Sequence, residues 1–123
     1  MKNITLIAAV FGFLGVALGA FGAHALKDTL ATANMTDVWQ TAVLYHLLHA
    51  IAAWVAASRL GPEGAAIAPK AGWCWLLGIV FFSGSLYAMA LGGPRWLGPI
   101  TPLGGVFFLV GWVFAGVSAL RRA

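Results

Sequence analysis

Charged and uncharged positions fall into a simple pattern along this chain: narrow charged bands separated by long runs with none. The ten charged residues are Lys2, Lys27, Asp28, Asp37, Arg59, Glu63, Lys70, Arg95, Arg121 and Arg122. Between them lie four uncharged runs, Asn3–Leu26, Val38–Ser58, Ala71–Pro94 and Trp96–Leu120, none shorter than 21 residues. A helix needs about 20 residues to cross a hydrocarbon core roughly 30 Å thick. The pattern predicts four transmembrane helices, near residues 4–26, 38–58, 71–92 and 101–120. Together they make an all-α integral membrane four-helix bundle, a single domain over residues 1–123.

The prolines divide the chain at the same places. Pro62 and Pro69 fall in the second connection, and Pro94, Pro99 and Pro102 gather around the third. None interrupts an expected span, where proline would remove a backbone hydrogen bond that lipid cannot replace. Thr101-Pro102 reads as an N-cap followed by proline at the first helical position, which starts the fourth helix. Asp37 with Gln40 three residues on resembles a capping box at the start of the second. About 30 residues remain outside the spans, too few for a soluble domain.

Composition narrows the class further. Apolar residues make up 62% of the chain and charged residues 8%, with a mean hydropathy of +0.94. A soluble domain carries about a quarter of its residues charged. A soluble enzyme, a nucleic-acid-binding domain and a disordered chain are excluded on this count. With four spans, the N-terminus, second connection and C-terminus share one side and hold Lys2, Arg59, Lys70, Arg121 and Arg122; the opposite side holds Lys27 and Arg95. Five Lys/Arg against two places both termini in the cytoplasm. The net charge of +4 then reflects this bias and contact with anionic headgroups. The expected location is the bacterial cytoplasmic (inner) membrane. The partners expected are the lipid bilayer, with a membrane-protein partner or a second copy of the chain left open, and no nucleic acid.

The first run has some features of a cleaved signal, with Lys2 ahead of an apolar stretch and Ala23-His24-Ala25 as a small-x-small sequence. Its apolar run is longer than the usual 7–15 residues, so a permanent helix is expected. The single cysteine, Cys74, has no internal disulfide partner; flanked by Trp73 and Trp75, it reads as a small packing side chain at the membrane boundary.

Within the first span Gly12, Gly15, Gly19 and Gly22 are spaced three, four and three apart, one stripe on a helix. In lipid such a stripe permits close helix contact, within the bundle or with a second copy. The polar residues of the spans matter more, because each needs a partner in a region without water. They are His24 at the end of the first span, Gln40, Thr41, Tyr45, His46 and His49 in the second, and Ser83, Ser85 and Tyr87 in the third. The expected topology puts them all in the outer half. His24, Tyr45, His46, His49, Ser83, Ser85 and Tyr87 form the candidate polar cluster. His46, His49, Ser83 and Tyr87 are expected to converge between the second and third spans, with His24 near the mouth.

These residues also carry a resemblance. The blocks Gly19-Ala-Phe-Gly-Ala-His-Ala-Leu26, Tyr45-His-Leu-Leu-His-Ala50, Phe82-Ser-Gly-Ser-Leu-Tyr87 and Ile100-Thr-Pro-Leu-Gly-Gly105, followed by Gly111-Trp112, resemble the signature of the YgdD and transmembrane protein 256-like family of small integral membrane proteins. The match runs in order over nearly the whole chain, except the second connection. It implies a four-span membrane protein and brings no activity, substrate or catalytic residue to these positions.

The chemistry open to the cluster is restricted. His46 and His49 sit three apart on one helix, and imidazole is a common metal and haem ligand. His24, however, lies roughly 9 Å away in depth from His46 by helical rise, and the spans hold no carboxylate to complete or orient a site. No metal and no cofactor is expected. Serine–histidine catalysis lacks an orienting acid as well, so no enzyme and no catalytic residue is expected. A proton relay finds no continuation in the inner half. Two classes remain: a structural, accessory or assembly factor whose bundle is held by the polar cluster, or an outer-leaflet small-molecule or lipid-binding protein whose cavity that cluster lines. A closed cluster favours the first and an open one the second.

Overall fold

The computed structural model describes residues 2–59 and 68–122. Every regular element in them is helical: α1 (Lys2–Ala23), α2 (Lys27–Thr32), α3 (Thr36–Arg59), α4 (Ala68–Gly78), α5 (Gly84–Ala90) and α6 (Ile100–Arg122). A π-helical turn, Ile79–Ser83, joins α4 to α5 in one continuous span, and a 3-10 turn, Arg95–Leu97, precedes α6. Four stretches are long and apolar enough to cross a membrane: Asn3–Ala23, Thr36–Ser58, Pro69–Ala90 and Arg95–Arg121. The fold is an all-α four-span bundle. Pro62 and Glu63, assigned to the second connection, lie outside the described residues.

Several helix ends differ from the sequence expectation. The first span stops at Ala23, not near residue 26, and the connection after it contains α2. Leu30 anchors α2, being 1% exposed among Trp39 and Ala90. The helix ends in a Schellman turn: Met35 N–H bonds the Leu30 carbonyl at 2.8 Å and Asn34 N–H bonds that of Ala31 at 3.1 Å. Asn34 takes the left-handed conformation there, with φ 55°. Asp37 lies inside the first turn of α3, since the helix starts at Thr36; its carboxylate there meets the positive end of the helix dipole. Pro69 belongs to the first turn of α4, not to the preceding connection. Proline costs little in a first turn, whose N–H groups have no helical acceptor. The same reason admits Pro102 in the first turn of α6, which begins at Ile100, so that Thr101 is not an N-cap. The third span closes with a second Schellman turn, Gly93 N–H to the Ala88 carbonyl at 2.8 Å, with Gly92 at φ 94°. That conformation favours glycine.

The four spans are not equivalent. α3 packs against α1 on one side and the α4–α5 span on the other, and α6 packs mainly on the α4–α5 span. The central pair is therefore the more enclosed: 39% and 44% of their apolar windows are buried, against 17% and 22% for the outer spans. The main core joins Ile4, Ala8, Ala50, Ala53, Trp75, Leu76, Ile79 and Phe108. A smaller one joins Leu30, Trp39 and Ala90 at the α2 end.

Glycines set both outer contacts. On α1, Gly15 faces Leu47 and His46, Gly19 faces Val43, and Gly22 faces the Trp39 indole. Gly12 departs from the expected stripe: a side chain there would meet nothing within 4 Å. On α6, Gly104 lies against the Phe82 backbone and Gly111 against the Trp75 indole, while Gly78 of α4 receives Phe108. Contacts seven residues apart recur on one helix face, the spacing of antiparallel helices packed side by side.

Gly104→Ala forces a methyl group onto Phe82 backbone that cannot rotate away. It should cost stability at the upper end of the about 1–3 kcal/mol typical of overpacking. Gly116→Ala, in open space on the same helix, should leave stability unchanged or raise it by up to about 1 kcal/mol. Thermal unfolding of both variants in the same mild detergent makes the comparison.

Candidate functional site

The polar side chains of α3 are held by its two neighbours, and each hydrogen bond follows from helix geometry. A helix carbonyl has two lone pairs and gives one to its own helix. The side chain four residues later normally covers the other, because Cβ atoms tilt toward the N-terminus. On α1 the residues four beyond Phe11 and Leu18 are Gly15 and Gly22, so both carbonyls are uncovered. His46 Nε2 donates to the Phe11 carbonyl at 2.7 Å. Trp39 Nε1 donates to the Leu18 carbonyl at 2.9 Å. The acceptors are seven residues apart on α1 and the donors seven apart on α3, so the device is used twice in one register.

The Phe11 carbonyl can only accept, so the His46 proton sits on Nε2. Nδ1 is left as an acceptor, and the Tyr87 hydroxyl donates to it at 2.9 Å. His46, 4% exposed, thereby links α1, α3 and α5. Trp39 stacks obliquely on Tyr87 with ring centroids 4.7 Å apart, closing that side.

His49, one turn on, points elsewhere. Its Nδ1 donates to the Tyr45 carbonyl of its own helix at 2.8 Å, and its Nε2 accepts from Trp112 Nε1 of α6 at 3.1 Å. The ring lies flat on Phe108, with centroids 3.7 Å apart and planes 12° apart. The two histidines therefore hold opposite tautomers. Both nitrogens of each ring are occupied.

The serines complete the third span. Ser83 Oγ donates to the Ala42 carbonyl at 2.7 Å, fully buried. Ser85 Oγ donates to the Phe82 carbonyl at 2.9 Å, leaving its oxygen to accept from the Thr101 hydroxyl at 2.5 Å. Among the described residues, Trp75 Nε1 is the buried side-chain polar atom left without a partner. Trp75 covers Gly111 much as Trp39 covers Gly22.

The expected single cluster is thus three separate groups. His46 and Tyr87 meet directly; Ser83 bonds α3 backbone nearby; His49 turns to α6 and Ser85 to Thr101. Two residues three apart on a helix are separated by about 60° around its axis, enough here to give different neighbours. Tyr45 is 39% exposed; its ring lies tilted on Phe82, with centroids 4.8 Å apart, and parallel to that of His49 at 6.1 Å. His24 lies exposed in the turn after α1 and is not brought to the others. Cys74 is half-buried with a free thiol. Among the described residues no three His, Cys, Asp or Glu side chains come together. Sequence reasoning missed Trp39, Thr101, Trp112 and the backbone acceptors. Trp39, seven residues before His46, and Gly22, seven after Gly15, carried the one legible signal.

Comparison with known proteins places this arrangement. Residues 18–105 match a family model described as "Protein of unknown function (DUF423)". The chain is 40% identical over 123 residues to a UPF0382 membrane protein of Staphylococcus epidermidis, covering 100% of this chain and 99% of the relative. It is 40% identical over 122 residues to the UPF0382 membrane protein YwdK of Bacillus subtilis, covering 98% of each. It is also 40% identical over 126 residues to the UPF0382 inner membrane protein YgdD of Escherichia coli K12, covering 98% and 91%. No solved structure matches the chain. The chain belongs to this DUF423 family and is a small multi-pass membrane protein in contact with the lipid bilayer.

Nitrogen-15 NMR of histidine-labelled protein in detergent should show His46 as the Nε2–H tautomer and His49 as the Nδ1–H tautomer. Tyr87→Phe should move only the His46 Nδ1 resonance strongly. Its stability cost should be about 0.6 kcal/mol, the mean for interhelical hydrogen bonds in membranes.

Proposed function

We propose that this member of the DUF423 family is a structural or accessory membrane protein and not an enzyme. It works by packing against another membrane protein or a second copy of itself. One observation carries this reading: the buried histidines and serines of α3 and the α4–α5 span hydrogen-bond to Tyr87, to Trp112 and Thr101 of α6 and to helix carbonyls. A catalytic base or a ligand-holding group needs a polar atom free to meet the substrate. His46 and His49 have none to offer. The reading that a ligand sits among His46, His49, Ser83 and Tyr87 loses its support for the same reason.

In this proposal the protein sits in the cytoplasmic membrane with both termini cytoplasmic. The Lys/Arg bias supports the orientation, and the inner-membrane designation of the Escherichia coli relative supports the compartment.

Two measurements test the proposal. A C-terminal fluorescent protein should glow and a C-terminal alkaline phosphatase should stay inactive; the reverse result overturns the orientation. Extraction in polymer-bounded native lipid discs should yield a complex larger than the 12.9 kDa chain, with one component in fixed stoichiometry. Only monomer, after cross-linking in intact membranes, would overturn the partner reading.

A further inference from the structure

Apart from the hydrogen-bonded groups, a cleft opens from the bundle beside α1. It lies between the last turns of α1, helix α2 and the first half of α3, with a volume of about 290 Å³. Gly19, Gly22 and Ala23 form one wall and Leu44 and Leu47 of α3 the other, with Leu30 of α2 across the end. Gly19 opens the space: a side chain there would have only Val43 within 4 Å, whereas Gly22 is covered by Trp39.

We propose that this cleft holds one acyl chain of a zwitterionic glycerophospholipid, its polar part lying at Thr36 and Gln40. Four observations support this occupant. The cleft belongs to spans that cross the membrane, so the medium at its opening is hydrocarbon. Its walls are apolar, and a stable water needs two to four polar partners. Its volume lies just below the about 300–1,000 Å³ of small-ligand sites and is too small for a helix about 10–12 Å across; an extended methylene chain fits. Its polar lining residues, Thr36 and Gln40, fall within about 6 Å of the start of α3 by helical rise, where the hydrocarbon core gives way to headgroups.

Charge at that end selects the headgroup. Lys27 and Asp28 of α2 and Asp37 of α3 are exposed there. Both signs are present, which suits a phosphate joined to an ammonium better than a purely anionic headgroup. Lipid tails are as apolar as leucine, so moving a tail from bilayer to cleft gains no hydrophobic energy. Retention therefore rests on the polar end, where the exposed Gln40 amide and the Thr36 hydroxyl meet the ester and phosphate oxygens. This site is separate from the His46 and His49 hydrogen bonds and independent of any protein partner.

Native mass spectrometry of the full chain in mild detergent tests the proposal, titrated with dioleoyl-phosphatidylethanolamine or dioleoyl-phosphatidylglycerol. The wild type should take one saturable phosphatidylethanolamine and prefer it to phosphatidylglycerol. Ala23→Phe, which fills the cleft from an exposed position at the end of α1, should bind at least about tenfold more weakly, a change of about 1.4 kcal/mol. Gln40→Leu should weaken binding in the same direction. Gly116→Phe, in open space on α6, should bind as the wild type does. Thermal melting of each variant establishes that it is folded. The proposal is overturned by equal binding to folded Ala23→Phe, by adducts that grow without saturation on every variant, or by preference for phosphatidylglycerol. It is also overturned by a chain dimer that Ala23→Phe abolishes, which would make a second copy the occupant.

Discussion

A helix carbonyl inside a membrane is most open to a bond from another helix where the side chain four residues later is missing. Lipid offers no donors, and a bulky side chain over the carbonyl crowds a neighbour's donor, although the small Ser83 hydroxyl still reaches the Ala42 carbonyl. Gly15 and Gly22 remove that cover from Phe11 and Leu18, and His46 and Trp39 donate to the uncovered oxygens. Because the two sites are seven residues apart on each helix, a slip of α1 along α3 would break both bonds together. It would also drive Leu47 and Trp39 against the residues beside the glycines. Each bond is worth little alone. Their shared spacing defines the register.

The third span solves a different problem, since it must face α3 and α6 at once. Its π turn does this locally: Gly84 N–H reaches the Ile79 carbonyl five residues back. The wider turn inserts a residue and rotates the facing of α5 relative to α4. Ser83 and Tyr87 then meet α3, Ser85 meets Thr101 of α6, and the Phe82 backbone comes against Gly104. The hydroxyls of Ser83, Ser85 and Tyr87 are all so used. A cleft of about 290 Å³ is left beside the end of α1, where Gly19 has only Val43 near it.

The spans were legible in the sequence because ten charges and five prolines mark where lipid ends. α2 was not legible: its Lys27 and Asp28 resemble any exposed connection, and only the burial of Leu30 explains its place. The π turn leaves no mark in Ile-Val-Phe-Phe-Ser, a run that reads as ordinary helix. Of the candidate residues, His46 and Tyr87 could be paired by depth, whereas the separation of His49 from His46 depended on which helix lay on each side of α3. That is a fact of packing, absent from spacing on one helix. His24 was grouped by its depth at the outer end of the first span, and its position beyond the last turn of α1 leaves it apart from the others. Thr101 looked like a cap because Pro102 comes next. The helix starts one residue earlier, and its hydroxyl is free to reach Ser85.

The two outer helices are consequently held in ways that respond differently to substitution. α6 contributes side chains: Trp112 to His49, Thr101 to Ser85, and Phe108 as the plate under the imidazole. Each can be deleted singly, leaving an unpaired atom or an empty space on the inner helices. α1 contributes the backbone oxygens of Phe11 and Leu18, which no substitution at those two positions removes. On α1 itself, those two bonds are lost by adding atoms at Gly15 or Gly22, where a new side chain would both cover the acceptor and strike its donor's helix. The most exposed apolar helix of the bundle therefore carries part of its specificity in residues that have no side chain, beside the packing of Ile4 and Ala8 in the main core. Its outward face, free of that role, is left to lipid.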